Sequence, residues 1–178
     1  MKPQMNADRN INNSFYLLCL SVVFKMKKSK KHILIDIIFI LIYAIYWESI
    51  STEFWIYDRR IYGYFIFNRF PLSLLVFWAF VFFISLYISE TLYKKLTKKT
   101  EIPVFDKKLY LLDIIAFGLM GTILEALTYK WNWFEYGVNL HWTFVPIVNL
   151  PINAIMGYFG IGALIPTTVR FYRSKVCK

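Results

Sequence analysis

Four long apolar stretches, separated by aromatic and basic segments, set the pattern of the chain: residues 33–50 (ILIDIIFILIYAIYWESI), 71–89 (PLSLLVFWAFVFFISLYIS), 109–128 (LYLLDIIAFGLMGTILEALT) and 142–166. A helix needs about 20 mostly apolar residues to cross the hydrocarbon core of a bilayer. Each stretch is therefore predicted to be a membrane-spanning helix. The third is the least apolar, since it carries Asp113, Glu125 and two Gly, and the fourth has Pro146 and Pro151 near its start. A further apolar run, SFYLLCLSVVF at residues 14–24, is too short to span at 11 residues. If it did cross, it would make a fifth span. No small-residue cleavage site follows it, and bulky Leu18 precedes Cys19. It reads as an interfacial or disordered extension rather than a signal peptide or lipoprotein leader. Met26 is an alternative start, because the membrane pattern begins just after it.

Composition agrees with this pattern. The 178 residues are 58% hydrophobic, 20% aromatic and 18% charged, against about 45–50% apolar and about 25% charged in an ordinary soluble domain. A chain this small has too little interior to hide that much apolar surface from water. The two cysteines, Cys19 and Cys177, exclude a disulfide scaffold and a cysteine zinc site. The expected fold class is all-α, a multi-pass membrane protein. Residues 1–32 form a basic N-terminal extension, 33–169 a single transmembrane domain and 170–178 a basic tail.

Charge then orients the helices. Fifteen basic residues flank the spans on one side, in residues 25–31, 94–108 and 170–178, against Arg59, Arg60, Arg69 and Lys130 on the other. The positive-inside rule places both termini and the middle loop in the cytoplasm. The net charge of +10 is thus largely topological and suits anionic lipid headgroups. No basic face of a nucleic-acid binder is visible.

The halves resemble each other. Asp36-Ile37-Ile38 recurs as Asp113-Ile114-Ile115, and each Asp is followed twelve residues later by a Glu, Glu48 and Glu125. An aromatic loop comes next, with Trp55, Tyr57 and Tyr64 in the first half and Trp131, Trp133, Tyr136 and Trp142 in the second. Each loop ends in an apolar-Pro-apolar step at Pro71 or Pro151, and the register is 77 residues through the first helices and 80 at the prolines. These features predict a parallel tandem repeat of helix hairpins, about 33–92 and 109–169. Sites in such folds tend to lie between the repeats.

The candidate chemistry follows from cost. A carboxylate at the centre of a membrane helix costs roughly 2.5–3.5 kcal/mol on insertion scales. Asp36 and Asp113 lie one turn inside the cytoplasmic face and are expected to pair with Lys31, His32, Lys107 or Lys108. Gly118, Gly121, Thr122 and Glu125 share one helix face, so Glu125 is expected to face protein. Asn149, Asn153 and Gly157 form a matching stripe on the fourth span. Glu125, with Glu48 as its repeat mate, is either interhelical glue with Asn149 and Asn153 or a carboxyl able to deliver a proton. Five of the six Trp fall on the outer side, where Trp55, Trp131, Trp133 and Tyr136 either rest in headgroups or cap an apolar ligand. Their π faces suit a carbocation. His32 and His141 lie on opposite sides, so no metal site is expected; neither is a cofactor.

The order Glu, aromatic loop, apolar-Pro-apolar step and next helix, seen in WESISTEFWIY…FNRFPLSLLVFW and GLMGTILEALTYKWNWFEYG…LPINAIMGYF, resembles the lycopene cyclase domain and related small membrane proteins of carotenoid biosynthesis. Those cyclases carry carboxylates directly after the loop proline, whereas Leu-Ser-Leu follows Pro71 here and Ile-Asn-Ala follows Pro151. Glu48, Glu125, Pro71, Pro151 and the loop aromatics carry over. The resemblance implies proton-initiated, non-redox chemistry on a long isoprenoid, or binding of one. The competing expectation is non-enzymatic: a proton-coupled transporter working as a homodimer, or a helper subunit of a membrane complex.

Overall fold

The computed structural model describes residues 30–51, 54–57, 64–66, 70–137 and 142–176. The run at 14–24, Met26, both cysteines and His141 lie outside the described residues. The elements are α1 (Lys30–Ser51), β1 (Trp55–Tyr57), β2 (Phe65–Ile66), β3 (Phe70–Pro71), α2 (Leu72–Thr97), α3 (Lys107–Lys130), β4 (Phe134–Tyr136), β5 (Phe144–Val145), β6 (Leu150–Pro151) and α4 (Ile152–Val176). All four helices are long and apolar enough to cross a membrane.

The helix ends follow local chemistry. Asp106 caps α3, its side chain accepting from the backbone N–H of Lys108 and Leu109, which satisfies two donors that the first turn leaves open. The fourth helix starts at Ile152, not near 142 as the apolar run suggested. Pro146 and Pro151 cannot donate to a helical ladder, and residues 144–151 fold instead as the β5–β6 hairpin, Phe144 opposite Pro151 and Val145 opposite Leu150. Asn149 holds the left-handed turn position with φ of 52°, a conformation Asn tolerates better than most residues. It is a turn residue and not part of a helical stripe. At its other end α4 runs on to Val176, ten residues beyond the expected end, so Arg170 and Arg173 are helical rather than part of a free tail.

Both halves have the order helix, strand, two-stranded hairpin, helix. In each, the first amide of the second helix donates back across the hairpin: Leu72 N to the Tyr64 carbonyl (3.1 Å) and Ile152 N to the Thr143 carbonyl (2.9 Å). The two halves join through β1 and β4, paired antiparallel with Trp55 opposite Tyr136, Ile56 opposite Glu135 and Tyr57 opposite Phe134. The helices pack in a closed ring in chain order, α4 returning to α1, with α3 against α4 as the most extensive contact. Between them lies an apolar core that includes Ile40, Phe82, Leu86, Phe117, Ile161 and Ile165.

Gly162 explains the closeness of α3 and α4. A Cβ there would lie 2.8 Å from both the Asp113 carbonyl oxygen and the Ile114 Cα, and backbone cannot move aside as a side chain can. Gly162→Ala should destabilise the protein by about 1–3 kcal/mol, the usual cost of overpacking, seen as a lowered thermal midpoint in detergent. Gly160→Ala meets nothing within 4 Å and should be neutral or slightly stabilising. Equal midpoints for the two variants would contradict the close α3–α4 contact.

Candidate functional site

Polar side chains inside the helical body collect in two layers, one at each end. The first lies where α1 and α3 begin and α2 and α4 end. Arg170 makes a two-pronged contact with Asp113, Nη1 to Oδ2 and Nη2 to Oδ1, both 2.7 Å. Arg173 does the same to Asp36 through Nη2 (2.7 Å to both oxygens) and Nε (3.0 Å). Glu90 Oε1 accepts from both arginines, at 3.3 Å from Arg170 Nε and 2.8 Å from Arg173 Nη1. Ser89 Oγ donates to Asp113 Oδ1 at 2.6 Å. Asp36 and Asp113 are fully buried, and Arg170 is 3% exposed. Charge-assisted, forked contacts are among the strongest available to side chains, and the cluster draws on all four helices. Both aspartates therefore pair with arginines of α4, partners that the sequence reading did not name; the side chain of Lys31 lies outside the described residues. Gly162, Pro166, Arg170 and Arg173 follow one another at helical spacing, so continuing that buried stripe past Pro166 was the signal that reaches both arginines.

The second layer lies at the other end, under the β1–β4 pair. Glu48 and Glu125 are 3% and 1% exposed and line one small cavity. Glu125 accepts three hydrogen bonds: from Tyr136 Oη (2.5 Å), from Trp55 Nε1 (3.4 Å) and, very short, from Tyr158 Oη to its other oxygen. Glu48 accepts one, from Tyr57 Oη at 3.1 Å. The walls are aromatic, with Trp47, Trp55, Phe77, Trp78 and Phe134 among them, and among the described residues no Lys, Arg or His lines the cavity. Its volume is about 20 Å³, room for one water-sized guest. The Tyr57–Glu48 and Tyr136–Glu125 bonds have matching places in the two halves, each closing a helix end onto the strand that follows it.

Tyr136 sits in β4, outside the helices. Burial pushes its phenol above the ordinary tyrosine value, and the adjacent Glu125 carboxyl pushes it further, by charge and by hydrogen bonding. It therefore stays a hydrogen-bond donor to Glu125 wherever exposed tyrosines do.

The sequence-predicted residues divide clearly. Glu48, Glu125, Trp55 and Tyr136 come together. Asn149 and Asn153 do not join them: both are exposed, because Asn149 lies in the β5–β6 turn and Asn153 on the outward side of the first turn of α4. Tyrosine and tryptophan donors take the place expected for their amides. Trp131 and Trp133 lie tilted against each other, centroids 5.9 Å apart, but neither lines the cavity; Trp131 is exposed and Trp133 meets Phe77 edge-on. Tyr158 was missed, although it begins the buried stripe Tyr158, Ile161, Ile165 and Val169 of α4. Thr128 also lines the cavity, its hydroxyl turned back to the Leu124 and Glu125 carbonyls.

No protein-family model matches the chain, and neither a curated protein nor a solved structure matches it.

The hydrogen bonds of Glu125 yield a direct test. Glu125→Gln keeps the shape and can re-form most of the contacts, because both tyrosine hydroxyls also accept. Glu125→Leu strands the donors of Trp55, Tyr136 and Tyr158, at about 1–3 kcal/mol for each buried group left unpaired. The Leu variant should unfold well below the Gln variant in thermal melts. Equal melts would mean that Glu125 is not held by these three donors.

Proposed function

We propose that the chain is an integral membrane protein, both termini cytoplasmic, whose work is done by a proton-exchanging carboxyl pair, Glu48 and Glu125. Support for the membrane setting comes from the four long apolar helices and their outward faces, where Leu34, Ile42, Leu119, Ile123, Met156 and Leu164 are each more than half exposed. A bilayer would cover such residues. The basic segments at one end support the orientation. The tandem repeat is inferred from the matched strand registers, the matched Tyr–Glu bonds and the equivalent Leu72 and Ile152 amide contacts.

One observation carries the functional reading. Two buried carboxyls line a single cavity with no basic residue among the described residues of its walls. Two unpaired negative charges in so apolar a place are too costly to coexist, so a proton or a cation must complete the site. Glu125, held by three donors, suits the acceptor-only ionised form. Glu48, with one donor, is the member that takes up and releases the proton. The site lies between the two halves, under a strand pair, while the arginine cluster closes the opposite end of all four helices. A site at the interface of two repeats is where secondary carriers hold their substrates and coupling ions.

A second reading rests on the aromatic walls. The same carboxyls under π faces would suit proton transfer to an isoprenoid and stabilisation of the resulting carbocation, as the resemblance to lycopene cyclase domains implies. A cavity of about 20 Å³ does not admit a polyene, so this reading requires the helices to part. The carrier reading is preferred for that reason.

Infrared difference spectra of the protein in lipid, recorded across a pH change, test the shared premise. Wild type should show a protonated-carboxyl band that appears and disappears with pH, and Glu48→Gln should lose it while folding normally. A band retained at full strength in both Glu48→Gln and Glu125→Gln would place the exchanging proton elsewhere and end the proposal.

A further inference from the structure

The cavity does more than hold a proton; its walls specify what else fits. Resting on the proton-exchange reading of Glu48 and Glu125, we infer that the site binds a small nitrogen cation, ammonium or a short primary amine, in exchange for that proton.

Three features select this class. The first is charge: among the described residues two carboxyls and no basic residue line the cavity, so an anion is repelled and a neutral guest leaves the carboxyls uncompensated. The second is the surface. Trp47, Trp55 and Trp78 stand with Phe77, Phe82 and Phe134 around the carboxyls, and Trp78 packs on Tyr158 at 5.2 Å between centroids. Aromatic faces attract cations, and boxes of them are the usual way proteins hold ammonium-type groups.

The third feature separates a nitrogen cation from a metal ion. Calcium takes six to eight oxygen ligands, and magnesium needs near-ideal octahedral geometry. Here Glu48, Glu125, Tyr57, Tyr158 and Thr128 are the described lining residues that carry side-chain oxygens, and the carboxyl oxygens already accept from hydroxyl and indole donors. Among the described residues, no group of three or more His, Cys, Asp or Glu is placed to hold a metal. Oxygen ligands are therefore few and π surface is plentiful. An ammonium group needs acceptors and π surface. It can donate to Glu48 and Glu125 at once and rest its remaining face on the rings. Its size matches the volume of about 20 Å³. The longest of the bonds to Glu125, from Trp55 Nε1 at 3.4 Å, is the one such a donor would displace. Trp55 lies on β1, so exchange of donors there couples occupancy to the strand pair above the cavity.

Three of the wall residues are tryptophans, which makes the purified full-length protein in lipid nanodiscs its own reporter. Ammonium chloride and methylammonium chloride are titrated against sodium and potassium chloride at matched ionic strength, following tryptophan emission, with proton release read in weakly buffered solution. The expected result is a saturable change for the two nitrogen cations at concentrations at least tenfold below any effect of sodium or potassium. Binding should release protons and weaken as pH falls. It should be lost in Glu48→Gln, whose thermal midpoint shows that it folds. Equal responses to all four cations in wild type would overturn the amine assignment without needing any variant. If Glu48-dependent proton exchange persists in that case, the underlying reading stands. If Glu48→Gln exchanges as many protons as wild type, that reading falls and the amine inference falls with it.

Discussion

Burying charge inside an apolar helical body is the constraint on which the structure turns. Asp36, Glu90 and Asp113 are each almost wholly enclosed, and with no water to solvate them they require cations held in place. Arg170 and Arg173 supply them from a single helix, reaching α1, α2 and α3 at once. Removing one partner of such a buried pair typically costs about 3–5 kcal/mol, because the other charge is left behind. The cluster therefore ties α4 to α1, α2 and α3 at one end of the body, and any rearrangement that separates these groups leaves a charge buried without its partner. The backbone approach of Gly162 to Asp113 and Ile114 is the steric counterpart of the same demand, since Asp113 is where Arg170 must arrive.

The opposite end faces the same constraint with a different solution. Glu48 and Glu125 receive hydroxyl and indole donors but no cation among the described residues, so they are hydrogen-bonded without being neutralised. One polar layer sets three carboxyls against two guanidiniums, and the other sets two carboxyls against no cation among the described residues, with an apolar core between them. On the proposed reading that difference is functional: the paired end holds the helices together, and the unpaired end exchanges its missing charge with the surroundings. The pairing of β1 with β4 matters here because it carries Trp55, Tyr57 and Tyr136, three of the four donors, and ties the two halves together directly over the carboxyls.

Much of this was legible in the sequence, and the failures have identifiable causes. Span length and apolar content located all four helices. The Asp-to-Glu spacing and the loop prolines pointed to elements that recur in the two halves, and cost arguments drew attention to Glu48 and Glu125, which the fold brings to one cavity. Helical periodicity misled where it was carried through Pro146 and Pro151, since it assigned Asn149 to a helix face when two prolines make that segment a hairpin. The partners of Glu125 were misjudged for a related reason. Tyr136 and Trp55 reach it through a strand pair between distant segments, and three-residue strands leave no periodic trace. Arg170 and Arg173 were assigned to a basic tail because a charge count treats every Lys and Arg alike. Arginine among buried acids is a pairing signal and not only a topological one, and Glu90, at the edge of its apolar run, belonged to the same set.

The central claim is that β1 and β4 join the two halves over the carboxyl pair, which the proposed orientation sets on the face away from the cytoplasm. Ile56 and Glu135 stand opposite each other in that ladder, and both are exposed. A double variant, Ile56→Cys with Glu135→Cys, in a background lacking Cys19 and Cys177, allows one measurement on intact cells treated with a membrane-impermeant oxidant. The account predicts rapid formation of an intramolecular disulfide, detected by mobility shift, while a cysteine pair placed in the segment between α2 and α3 stays reduced. Failure of the 56–135 pair to cross-link in folded protein, or oxidation of the pair between α2 and α3 instead, would contradict it.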